Sequence, residues 1–356
     1  MAVKRACELF KAEHAIVRTG NLIAASRVVL QALLKKDDKV MSFNLRKSEH
    51  CTGDQMQYNF IKFALEPETF ELNFDKLHSM ALMCKPKMII YSPVNYPRNI
   101  DYSKLRKIAD QVGAILWIDL GQNAGLVAAE EITSPIPYAD IVTFAASDAL
   151  HGPQSGIILC KKKFADILER AVIDTGHASL KKNVLAALAI TFREAACNEY
   201  KDYSQQVRLN ARALEKGLKS SGAELICSPT ENHLVLVKIP KDGQAIADKL
   251  AQARLLVKAE TLMTSKEYLS YPVLRLSSLD PTTRALNEDD MFTVGRTLGE
   301  FLKSPQDSQS IKAVESIIKE MVETLPIFSD EWLPGEEVAQ EYDSDLMMKA
   351  MIYGTM

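Results

Sequence analysis

Two periods of apolar and polar positions run through the first two thirds of this chain. Short apolar runs bounded by turn-forming residues, KVMSF, MIIY, AILWID and GIILC, read as buried strands. Between them apolar residues recur at three- and four-residue spacing. Residues 2–12, NLIAASRVVLQALL, YSKLRKIADQVG and the stretch after GIILC therefore read as amphipathic helices. FALEPETFELNFDKLHSMALM reads as a strand followed by a helix, and HAIVRT as a short strand leading through Thr19-Gly20 into the next helix. Strands alternating with helices predict an α/β domain with a mostly parallel sheet covered on both faces, its ligands beyond the carboxyl ends of the strands.

The pattern changes in the second half. Residues 183–222 read as long helical material, and from Ala223 the runs ELICSP, HLVLVKIP and PVLRLSS alternate with the helices GQAIADKLAQARL and EDDMFTVGRTLGEFLK. That mixture fits a smaller α+β domain. The expected organisation is a large domain over 1–204, a small domain over 205–304, and a C-terminal helix with an acidic, mobile tail over 305–356.

Composition narrows the function classes. A net charge of −3 with both signs interspersed gives no electrostatic reason to expect nucleic acid or an anionic membrane as partner. No apolar run approaches the roughly 20 residues that span a bilayer, and MAVKRACELFKAEH is a mixed-charge amphipathic start, so a cytoplasmic protein is expected. Six cysteines without a CxxC pair, and six histidines without ligand spacing, predict buried thiols and no metal site. Neither GxGxxG nor GxxxxGK[ST] occurs. The Thr19-Gly20 turn before a helix is compatible with a phosphate cradle or with a plain connection.

The centre of the chain, Gly113 to Gly156, holds a strand closing on the carboxylate Asp119, a glycine-bearing loop, a second strand and the polar turn SDALHGP. Around it stand ELFKAEHAIV, KPKMIIYSPVNYPRNIDYSKLRKIADQVGA, WIDLGQNAGLVAA, PIPYADIVTF, HGPQSGIIL, ITFREA, SPTENHLVLV and LRLSSLDPTTRA. In this order these blocks resemble the serine hydroxymethyltransferase family. The resemblance implies the pyridoxal-phosphate (PLP) transferase fold type I, with a mostly parallel sheet in the large domain and a smaller C-terminal α+β domain. It also implies transfer of a hydroxymethyl group between serine and tetrahydrofolate, with PLP held as an aldimine on a lysine.

Carried over position by position, the resemblance implies a degenerate site. Asp119 matches the carboxylate that pairs with the pyridinium nitrogen, although a capping or solvated aspartate is the plain alternative. Arg275 matches the arginine that grips the substrate carboxylate. His50 resembles the histidine stacked on the cofactor ring, or is a loop histidine; His233 matches a structural turn. Asp148 stands at the aldimine lysine position and Ser147 at that of the preceding histidine, while Gln122 replaces a histidine after the Asp119 strand. Ala145 takes a threonine position, Gln154 an arginine position, and Ala178 and Ser179 a phosphate-loop glycine pair. The family's leading segment is expected to lack a counterpart here.

An aspartate has no nucleophilic nitrogen, and its charge opposes that of PLP. Lys161, Lys162 and Lys163 are expected to be solvated rather than to replace the lost lysine. The resulting expectation is a catalytically inactive pseudoenzyme that binds PLP non-covalently or not at all. It would act as a binding or regulatory partner, a homodimer or a heterodimer with an active relative. The alternative is a glycine/serine hydroxymethyltransferase-type enzyme of one-carbon metabolism with non-covalent or altered PLP use.

Overall fold

The computed structural model describes residues 1–43, 57–176, 181–240, 243–265 and 270–335. A seven-stranded sheet forms from β1 (His14–Thr19), β2 (Lys39–Phe43), β3 (Asn59–Phe63), β4 (Met88–Tyr91), β5 (Ile115–Gly121), β6 (Ile141–Ala145) and β7 (Gly156–Cys160), in the order β1-β7-β6-β5-β4-β2-β3. Only β7 runs against its neighbours. The sheet is thus mostly parallel, and its central strands are buried on both faces, which is why MIIY and ILWID are continuous apolar runs.

Side-chain alternation splits the core around this sheet. On one face, α2 (Leu22–Leu33) and α6 (Ala165–Asp174) pack on Trp117, Ile141 and Ile158. On the other, α1 (Ala2–Phe10), α3 (Phe74–Cys84), α4 (Tyr102–Val112), α5 (Ala124–Ala128) and α7 (Lys182–Glu194) pack on Leu116, Ile118 and Phe144. Trp117 keeps its indole N–H satisfied in the core by donating to Thr143 Oγ1 at 2.9 Å. Gly113 ends α4 at φ 68°, a left-handed cap open to glycine at no steric cost. At the Thr19-Gly20 turn, Asn21 caps α2 by accepting from Ala24 N at 2.8 Å, so this helix end is served by its own chain.

Two sequence expectations differ from the structure here. The strand expected at FALE lies upstream as Asn59–Phe63. Residues 66–71 turn back instead, with Pro67 lacking an N–H, Phe70 at φ 52°, and Glu66 N bonded to Glu71 O. The tail expected to be mobile from Ser329 onward is docked as far as it is described. Ser329 N donates to Thr283 O at 2.9 Å, and Trp332 donates to Thr282 O at 2.8 Å while its ring meets Tyr203 at 5.7 Å.

The second sheet is antiparallel, β10-β11-β9-β8, built from β8 (Leu225–Ile226), β9 (Leu234–Lys238), β10 (Lys258–Met263) and β11 (Ser270–Ser277). α8 (Asn198–Ser220), α9 (Gly243–Gln252), α11 (Glu288–Lys303) and α12 (Ser308–Thr324) contribute to its core. The short α10 (Leu279–Thr283) follows β11. Residue 205 lies inside α8, so the chain passes between the two halves along one unbroken helix. Buried polar contacts fix the junction: Asn210 Nδ2 donates to Thr282 Oγ1 and Leu286 O, and Asn232 Nδ2 donates to Tyr96 O.

Candidate functional site

The parallel strands end at a common edge, and there the sequence places its chemistry. Asp119, on β5, is fully buried. Such a carboxylate needs donors, and it has Gly121 N on Oδ1 at 3.0 Å and Ser92 Oγ on Oδ2 at 3.4 Å. Gly121 adopts φ 52°, which folds its N–H back onto that carboxylate and turns Gln122 out of the strand.

One strand over, β6 ends at Ala145, and a single 3-10 turn, Asp148–Leu150, follows Ser147. Asp148 sits at φ 61° and His151 at φ 54°, both left-handed. Aspartate is among the few non-glycine residues that visit this region, so the local backbone suits the residue present. The turn is pinned from two sides: Gly152 N bonds Ala146 O at 2.9 Å, and Tyr200 Oη donates to Ala149 O at 2.7 Å. Gly125 of α5 must lack a side chain, because a Cβ there would lie 2.3 Å from the Tyr200 hydroxyl.

The second sheet faces this edge with Arg275 of β11. Its Nη2 donates to Gln122 Oε1, tying the two halves together across the site. His233 lies beneath, fully buried, with Nδ1 within 3.0 Å of Ser277 Oγ. Burial, and after it the positive charge of Arg275, holds the His233 pKa well below the ordinary histidine value. The ring is therefore neutral at pH 7.

Gln122, Asp148, His151, Lys258, Arg275 and Asp280 line one cavity of about 620 Å³, whose remaining walls are mainly apolar side chains of α11, α12 and the approach to β10. Among the described residues, no hydrogen bond or ion pair engages the Asp148 carboxylate. The structure thus brings together Gln122, Asp148 and Arg275. Asp119 and Ser147 stand at the same edge of the sheet, Asp119 turned into the protein. His50, Ala178 and Ser179 lie outside the described residues.

Lys161 and Lys163 keep solvent contact while pairing with a buried carboxylate. With Arg106 they surround the buried Asp140, at 3.4, 3.1 and 2.7 Å. Burial works against that carboxylate, but the Leu116 N–H, Arg106 and Lys163 outweigh it and hold its pKa below the ordinary value. Asp140 precedes β6 whereas Asp148 follows it, so these lysines sit at the opposite end of the strand, roughly 17 Å away at 3.3 Å per residue.

Two cavity residues escape the sequence reading. His151 packs its ring between Tyr203 and Phe328, at 4.9 and 5.3 Å. Lys258 stands opposite Arg275 in the register of β10 and β11. Strand alternation around LRLSS could place Arg275 on a face, but nothing local announces its partner strand. The family model described as serine hydroxymethyltransferase matches this chain over residues 1–298.

Proposed function

The chain belongs to the serine hydroxymethyltransferase family, whose members depend on PLP and are typically oligomers, and on that premise we propose that it is a catalytically inactive member, a pseudoenzyme that acts by binding. The observation that carries this reading is Asp148, a carboxylate in the cavity where the family's chemistry needs an amine. PLP would supply the electron sink, and in the family's chemistry a lysine of the chain holds it before the substrate amine takes over. Lys258, the one lysine among the described cavity-lining residues, stands on the exposed end of β10, on the second sheet rather than on the turn after β6. The donor set therefore does not fit covalent PLP.

The residues that remain support a binding role. Asp119 is held in place by Ser92 and Gly121, and Arg275 by Gln122, so both are positioned without a cofactor. The retained fold offers surfaces for pairing with itself or with an active relative, in keeping with an oligomeric family. Asp119, Gln122 and Ser147 would be the remnants of the cofactor site and Arg275 of the substrate site, with a cytoplasmic location expected.

The test is direct. Purified protein titrated with PLP should show no visible band that borohydride fixes to the chain in stoichiometric amount, and no release of a one-carbon unit from serine to tetrahydrofolate. A fixed stoichiometric adduct, or turnover with serine, would sink the reading.

A further inference from the structure

The cavity has an aliphatic arm that the chemistry of the sheet edge leaves unused. Leu214, Leu276, Met291, Leu298 and Ile318 line it, and all five belong to the buried core of the second sheet. Interiors normally interdigitate with few voids larger than a water molecule, so α8, β11, α11 and α12 leave a gap where packing is expected. A space walled by aliphatic side chains offers ordered water too few partners, and its walls lack dispersion contacts on one side. The mouth is marked by Leu256 and Val322, which line the cavity yet are 85% and 41% exposed. Leu256 belongs to residues 254–258, the run RLLVK leading into β10, and every residue of that run is in the lining. The charged lining groups fall into two sets. Arg275 donates to Gln122 and Arg284 to Val322 O and Leu325 O, while Asp148 and Asp280 stand on the turn after β6 and on α10. Arg254 and Lys258 are exposed, and among the described residues no hydrogen bond or ion pair engages either side chain.

We propose that this arm binds the alkyl chain of a free fatty acid, non-covalently, with the carboxylate left at the mouth on the Arg254 guanidinium. The chain leaves water and supplies the dispersion contacts that the aliphatic walls lack. Arg254 suits the head because its planar fork matches a carboxylate and no ion pair joins it to Asp280. Lys258 stands instead opposite Arg275, on the side of the cavity that meets Gln122 and the first sheet. The Asp148 carboxylate on that side repels an anionic head. An exposed ion pair is weak, so the alkyl chain supplies most of the affinity and Arg254 sets which end stays outside. A cavity of about 620 Å³ falls within the range of roughly 300–1,000 Å³ typical of small-molecule sites. The inference stands apart from the pseudoenzyme reading, since it uses no group of the sheet edge.

Displacement of a fluorescent fatty-acid probe from the full chain, stripped of lipid and purified without added PLP, tests this. The competitors are octanoate, decanoate, dodecanoate and 1-dodecanol, each below the concentration at which it self-associates. One acid should bind per chain, and each added methylene should tighten binding about fourfold, equivalent to about 0.8 kcal/mol, until the arm is full. Dodecanoate should bind about threefold more tightly than dodecanol, and Arg254→Gln should erase that difference while leaving dodecanol unchanged. Dodecanoate carrying a diazirine at its methyl end should, on irradiation, label α11 or α12, as read by peptide mass mapping. No saturable binding, no dependence on chain length, or label spread over the surface, which is adventitious adsorption only, would overturn the proposal. Loss of the acid preference in Lys258→Gln but not in Arg254→Gln would overturn the placement of the head. The PLP and borohydride experiment reports separately: a fixed adduct removes the pseudoenzyme reading and leaves this inference standing, whereas no adduct and no fatty-acid binding removes this inference alone.

Discussion

Asp148 is matched to its backbone. At φ 61° a long side chain gains nothing from the turn and pays the left-handed penalty, whereas Asp, Asn and Gly are tolerated. Asp148→Lys is therefore expected to lower the free energy of unfolding by on the order of 1 kcal/mol, and Asp148→Asn or Asp148→Gly to leave it within about 0.5 kcal/mol, as read from urea midpoints. His233 gives a residue-scale pH signature. It stays neutral in the fold while the unfolded chain takes up a proton, so its contribution is complete above about pH 6.5 and is lost as the pH falls below that value. Stability should decline between pH 7 and 5 by as much as about 1.4 kcal/mol per unit from this group, and His233→Gln should remove that part of the slope.

At the scale of elements, two contacts carry more than their sequence suggests. α8 and α11 touch backbone to backbone: a Cβ at Gly217 would lie 2.1 Å from Phe292 O, and one at Gly295 would lie 2.4 Å from Leu214 O. Gly217→Ala or Gly295→Ala must push the helices apart and is expected to cost about 1–3 kcal/mol in chemical denaturation. The segment after α12 is held by Trp332 on Tyr203 and Thr282. Trp332→Ala should expose residues 326–335 to limited proteolysis, while the unmodified chain resists cleavage there. Elements buried on both faces are legible in the sequence because burial makes them continuous apolar runs, as in MIIY, ILWID and GIILC. β10 is not, since its residues are partly or fully exposed and KAETLM has no period. The break between α7 and α8 at residues 195–197 carries neither glycine nor proline, so the two helices read as one.

For the whole molecule, the arrangement of the site is legible only in part, and the reason is topological. Asp119 and the turn holding Asp148 belong to adjacent parallel strands, so their common edge follows from the β5–β6 pairing. Arg275 arrives from a second sheet more than a hundred residues later; its hydrogen bond to Gln122 exists only once both halves are folded, and its register with Lys258 only once β10 pairs with β11. The matched family accounts for the scaffold: the strands, the helices on each face and the α8 connection are what folding needs, whatever occupies position 148. No described helix is long and apolar enough to cross a membrane, and no described group of histidine, cysteine and carboxylate side chains is arranged to hold a metal ion. On the proposed reading, the departure from the family's chemistry centres on the cavity that Asp148 lines.

The most direct measurement is the intact mass of the protein after saturation with PLP, reduction with borohydride and removal of excess reagent. The account predicts the mass of the unmodified chain as the dominant species, for the native protein and for Asp148→Asn alike. A dominant species heavier by one reduced pyridoxyl phosphate, with the label mapped to a single lysine, would contradict it.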